Sequence, residues 1–123
     1  MRQLDLSDRQ LTTLPASIGS LTSLRWLKLD CNQLTALPDS IGNLTALTWL
    51  SSNQNQLTTL PESIGNLTDL RWLHLDQNQL SALPLSITNL INLTTLHLAD
   101  NHLSNVSVLQ HLSNLSWVWL FNV

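Results

Sequence analysis

The sequence predicts an α/β solenoid: a right-handed coil with a parallel sheet of about six short strands on its concave face, and loops and short helical or 3-10 turns on its convex face. Three observations predict it. Segments beginning at Leu4, Leu27, Leu50 and Leu73 align end to end at a spacing of 23 residues, each close to LxLxxNxLTxLPxSIGNLTxLxx, and a fixed period of that size marks a repeat architecture. Apolar and polar residues alternate within each LxL, the period of a strand with one buried face. An asparagine recurs at one place just after that strand.

Each part of the unit has a physical reason. Leu4 and Leu6, Leu27 and Leu29, Leu73 and Leu75, and Leu96 and Leu98 point inward. Stacking the units sets their strands side by side about 4.8 Å apart in a parallel sheet. Leu34, Leu37, Ile41, Leu44 and Leu47 then fill the wedge behind the sheet, as do their counterparts in the other units. Asn32, Asn55, Asn78 and Asn101 form a structural ladder, because a buried side-chain amide at that place can bond the turning backbones of its own and the neighbouring coil. Pro15, Pro38, Pro61 and Pro84 fix the start of the convex segment and cannot continue a helix. Gly19, Gly42 and Gly65 supply either a backbone angle that other residues resist or room for close packing.

The departures are as informative as the pattern. The fifth unit lacks the Pro and the Ile-Gly pair, and its apolar residues Leu103, Val106, Leu109, Leu112, Leu115 and Val118 are spaced by three. That register makes it one residue shorter, so the last strand pairs Val118 with Leu120. The chain reads as one domain over 1–123, with units at 4–26, 27–49, 50–72, 73–95 and 96–117 and a terminal strand at 117–122. Arg9 stands where the first unit should have its ladder Asn, which an end coil tolerates. Ser52 stands where a core Leu belongs, so its hydroxyl must find a partner, and a local defect is expected there. Thr88 replaces the fourth Gly, so a changed convex path is expected.

Taken together, LxxLxLxxNxLxxLPxxIGxL resembles the leucine-rich repeat family across essentially the whole chain. Units one to four are similar to the LPxxIGxL repeats of bacterial proteins and of plant intracellular Ras-group proteins. The fifth resembles the 22-residue class typified by the regulatory subunit of a protein phosphatase. The resemblance implies a protein-interaction module that binds its partner through the concave sheet.

Composition narrows the function classes. Charged residues are 11% of the chain, the net charge is -3 and the isoelectric point is near 5.6, so there is no basic footprint for nucleic acid or anionic membranes. Cys31 is the lone cysteine, which rules out an internal disulfide and any cysteine-based zinc site and fits a reducing, cytoplasmic setting. No run approaches a membrane span, and the residues from Met1 to Asp5 lack the apolar stretch of a signal peptide. Glycosylation patterns such as those at Asn43 and Asn66 recur with the repeat and read as its by-products. No phosphate-binding glycine loop, nucleophile elbow or zinc-protease motif occurs, and Cys31 and His74 lie two coils apart. The expectation is a non-enzyme without a cofactor.

The outward strand positions form columns along the concave face. The position before the first strand leucine reads Gln3, Trp26, Trp49, Trp72, Thr95, Trp117. The middle one reads Asp5, Lys28, Ser51, His74, His97, Trp119, and the next Ser7, Asp30, Asn53, Asp76, Ala99, Phe121. Trp26, Trp49 and Trp72, one coil apart, are placed to stack at about the strand spacing. With Lys28, Asp30, Asn53, His74, Asp76 and His97 they make the candidate binding face, whose composition is that of an interface hot spot. Its bland counterpart is an aromatic ladder that only stiffens the sheet. A sugar ring on the tryptophans, or a weak metal site on His74 and His97 with Asp76 or Asp100, are minor alternatives.

The terminal strand would leave unpaired backbone beside Trp117, Trp119 and Phe121, an apolar edge that needs cover. A homodimer through that edge is the expectation, a fragment the alternative. The near-identity of the units also admits a designed or minimal scaffold without an evolved ligand.

Overall fold

The structure is a computed structural model describing residues 1–119. Its sheet contains β1 (Gln3–Asp5), β2 (Trp26–Lys28), β3 (Trp49–Ser51), β4 (Trp72–His74), β5 (Thr95–His97) and β6 (Trp117–Trp119), all parallel and in chain order. Partners from β1 to β5 lie 23 residues apart, as in Leu27 with Leu50. The shorter fifth unit shows in the last pairing, where Leu96 meets Val118 and His97 meets Trp119. Leu120 and Phe121 lie outside the described residues.

The return path of each coil is a five-residue 3-10 turn: Ala16–Ser20, Asp39–Asn43, Glu62–Asn66, Leu85–Asn89 and Ser107–His111. Proline precedes the first four at φ between -65° and -69°, the angle its ring enforces. Between sheet and turns lies one continuous core in which Leu27, Leu29, Ile41, Leu44, Leu47, Leu50, Ile64 and Leu73 are fully buried. A buried leucine contributes about 1.5–3 kcal/mol, and every coil supplies several, so the stack is held mainly by this wedge.

The amide of Asn55 shows how neighbouring coils are tied. Its Nδ2 donates to Leu29 O at 3.0 Å, and its Oδ1 accepts from Leu34 N at 3.1 Å. Asn78 and Asn101 repeat this with Ser52 O and Leu57 N, and with Leu75 O and Leu80 N. Asn32 Oδ1 accepts from both Arg9 N and Leu11 N at 3.0 Å. The first coil therefore needs no asparagine of its own at Arg9.

One expectation is resolved between its two alternatives and two are corrected. The glycines have no positive φ; they are required for close approach, since a Cβ on Gly42 would sit 2.7 Å from both Cβ and O of Ser63. The left-handed positions are instead Asp8, Gln10, Cys31, Gln54, Gln77 and Asp100, at φ between 57° and 59°, mostly where the chain turns out of a strand.

Second, the convex path does not change at Thr88. Its turn has the same length, and Thr88 Oγ1 donates to Leu85 O at 2.9 Å. The following coil is the shorter fifth, whose turn packs less extensively on the fourth, so the close approach that demands glycine is not repeated.

Third, Ser52 makes no backbone defect. Its N–H donates to His74 O at 2.8 Å, as Leu29 N–H does to Ser51 O. Its buried hydroxyl accepts from Asn55 Nδ2 at 3.1 Å.

Candidate functional site

The concave face is built by the outward residues of β2 to β5, and parallel pairing fixes their spacing. Trp26 lies opposite Trp49, Trp49 opposite Trp72, and His74 opposite His97. The indoles of Trp26 and Trp49 stack with centroids 4.5 Å apart and planes 7° from parallel. The stack does not run on to Trp72, contrary to the expected three-ring column. Trp49 meets the diagonal neighbour His74 edge-on at 5.5 Å and 79°, and His74 stacks on His97 at 4.2 Å and 9°. Trp72 keeps its place in register but stays 40% exposed. The ring path thus crosses the sheet obliquely, from the outer column to the middle one.

Asp30, Asn53 and Asp76 have a second occupation that sequence reasoning missed. Asp30 Oδ1 accepts from Ser51 Oγ at 2.6 Å and from Asn53 N at 2.8 Å. Asn53 Oδ1 accepts from Asp76 N at 2.7 Å, and Asp76 Oδ1 from Ala99 N at 2.7 Å. Each short acceptor caps a backbone N–H of the following coil. The signal available in the sequence was the run Asp, Asn, Asp in one column, ending at Ala99. Each of these side chains is committed to the fold by its Oδ1, and Asn53 Nδ2 donates to Ser51 Oγ at 3.4 Å.

The second oxygen of Asp76 lies 3.5 Å from Nδ1 of His97. Burial pushes the Asp76 carboxyl above its ordinary value, partly offset by the Ala99 N–H and by His97. Burial also holds the His74 imidazole below its usual range, and the neighbouring His97 adds to this while Asp30 opposes it. Both effects favour the neutral forms, as expected where charge is only half solvated. Lys28 is half-buried on β2 between Asp5 and Ser51 in register.

The Cys31 thiol donates to Gln54 Oε1 at 3.1 Å and is pushed up by burial and by Asp8 and Asp30, the opposite of an activated nucleophile. Among the described residues no three His, Cys, Asp or Glu side chains are placed together to hold an ion. Trp117 and Trp119 lie on β6, paired with β5; Phe121 lies outside the described residues. Among the described residues no helix is long and apolar enough to cross a membrane.

Comparison with known proteins places this geometry. Two models described as leucine-rich repeats match residues 22–80 and 92–115. The chain belongs to the leucine-rich repeat family. A search of curated proteins finds no match. Among solved leucine-rich repeat structures, a protein of Leptospira interrogans superposes with a TM-score of 0.97 at 38% identity, over 98% of this chain and 31% of that one. Internalin C2 of Listeria monocytogenes gives 0.85 at 36%, over 98% and 51%. The ectodomain of the Arabidopsis thaliana receptor kinase GASSHO1/SCHENGEN3, solved with CASPARIAN STRIP INTEGRITY FACTOR 2, gives 0.88 at 33%, over 99% and 16%. This leucine-rich repeat chain therefore spans about half or less of the length of the structures it resembles.

Proposed function

We propose that the chain is a binding module that holds a protein partner on the concave face of its sheet, without catalysis. The observation that carries the reading is the unbroken ring path Trp26, Trp49, His74, His97, with Trp72 exposed beside it. Rigid aromatic groups in a row, rimmed by Asp30, Asn53 and Asp76, have the make-up of an interface hot spot. Solved relatives support a protein ligand: the Arabidopsis ectodomain was solved with CASPARIAN STRIP INTEGRITY FACTOR 2, and Toll with Spatzle. At Trp49 stacking argues against a sugar, because its ring gives one face to Trp26 and meets the edge of His74, whereas a sugar ring needs an open indole face.

The test is affinity capture from the native source with wild-type protein, with a Trp49→Ala, Trp72→Ala double variant, and with a convex control, Ile91→Ser. A protein enriched by the wild type and by the control but lost with the double variant supports the reading. Undiminished enrichment by the double variant overturns it, as does enrichment of nothing specific, the behaviour of a bare scaffold. Pairing of a second copy along the outer edge of β6 is the accompanying proposal; a clean monomer on sedimentation at micromolar concentration overturns it.

A further inference from the structure

Beside the sheet, where each coil approaches its strand, lies a groove of about 320 Å³ lined by Arg25, Ala46, Thr48, Asp69, Arg71 and Asn92. Its origin is an alternation of side-chain size from coil to coil. The residue just before the strand is Arg25, then Thr48, then Arg71, then Thr94, long and short in turn; two residues earlier the chain reads Ser23, then Ala46, then Asp69, then Asn92. Small Ala46 and Thr48 make the floor, and the larger residues of the flanking coils make the walls. Two coils separate the arginines, about 9.6 Å of strand spacing.

The polar groups of this groove are unequally occupied. Thr48 Oγ1 donates to Arg25 O at 3.1 Å, and Asn92 Nδ2 donates to Thr68 O at 2.9 Å. Neither guanidinium makes an ion pair or side-chain hydrogen bond among the described residues. Two of the five Lys and Arg side chains of an acidic chain thus face one cleft. Each guanidinium presents a planar fork of donors suited to an oxyanion. A carboxylate has two oxygens and is satisfied by one fork, whereas a phosphate or sulfate group has enough to meet two forks from opposite walls. The groove exceeds a bare ion and falls in the size range of small-molecule sites. Its remaining groups, the Asp69 carboxylate and Asn92 Oδ1, are acceptors, which suit hydroxyl donors on the same ligand.

We propose that this lateral groove binds a phosphate or sulfate monoester of a sugar, with Arg25 and Arg71 clamping the oxyanion and Asp69 and Asn92 accepting from ring hydroxyls. The site is separate from the concave face and does not depend on the reading given above.

Titration of isotope-labelled protein with glucose 6-phosphate and with glucose 6-sulfate, followed by amide NMR, tests it, with inorganic phosphate and glucose as reference ligands. Saturable shifts at Thr48, Asp69 and Asn92 with either ester are expected. The better ester should bind at least tenfold more weakly to an Arg25→Gln, Arg71→Gln variant, and several-fold more weakly to Arg71→Lys, which keeps the charge but loses the fork. Leu85→Ser, an exposed change away from the groove, should bind as the wild type does. Absence of saturation with both esters, or unchanged affinity in the double glutamine variant, overturns the proposal. Inorganic phosphate binding as tightly as the better ester overturns the sugar half of it.

Discussion

The imidazoles of His74 and His97 lie face to face, centroids 4.2 Å apart and planes 9° from parallel, and the outer ring reaches Asp76. Two titratable rings at that distance share a half-buried face with indole on one side and a carboxylate on the other. Charge on either ring is therefore felt by the whole strip.

A pH dependence follows for stability. The folded chain holds the His74 proton less tightly than the unfolded chain, so the unfolded state binds more protons below the ordinary value of 6.5. Stability is then level above that pH and falls as pH drops through the window beneath it. Asp76 acts with the opposite sign and lower on the scale: its raised carboxyl favours the folded state in acid, and this is lost as pH rises through the raised value, above 3.8. The urea midpoint should be lower at pH 5.5 than at 7.5. The difference should shrink in His74→Gln; an unchanged difference there would exclude His74 as its source.

Gly42→Ala should destabilise the chain by about 1–3 kcal/mol, the range for forcing an extra methyl into packed surroundings, because the new Cβ meets Ser63 at 2.7 Å. Thr88→Gly, on the turn without that approach, should cost under about 1 kcal/mol, the helical propensity of glycine. Equal losses in chemical denaturation would contradict the packing account of the glycines.

Asn55→Ala would leave Leu34 N and Leu29 O buried without their partners. Each orphaned group costs about 1–3 kcal/mol, so a loss of at least about 2 kcal/mol is expected. Asn55→Asp should also destabilise, because a carboxylate cannot donate to Leu29 O. Amide exchange at Leu34 should accelerate in both variants.

At Gln77, φ of 59° is tolerated by asparagine and resisted by branched side chains. Gln77→Val should lose about 1–3 kcal/mol, the usual cost of a strained backbone residue, whereas Gln77→Asn should be neutral or slightly stabilising. Thermal unfolding of the two separates this from a simple loss of surface contacts.

The sequence carried the period, the inward leucines, the bonds of Asn55 and Asn78, and the shorter last unit, because each depends only on which residues become neighbours. It did not carry the direction of side chains. Trp49 faces two aromatic neighbours on β4, Trp72 directly opposite and His74 on the diagonal, and its ring meets the second. That choice is one of rotamer, invisible to a period. The same limit hid the capping of Ala99 N by Asp76, and left-handed Gln54 and Gln77 escaped notice because glutamine gives no warning of positive φ.

The most direct measurement of the central claim is site-specific photocrosslinking in the native source, with p-benzoylphenylalanine placed at Lys28 on the concave face or at exposed Thr68 on the convex side. Concave binding predicts one discrete protein adduct from position 28 and none from position 68. An adduct from position 68 alone, or equal adducts from both, would contradict it.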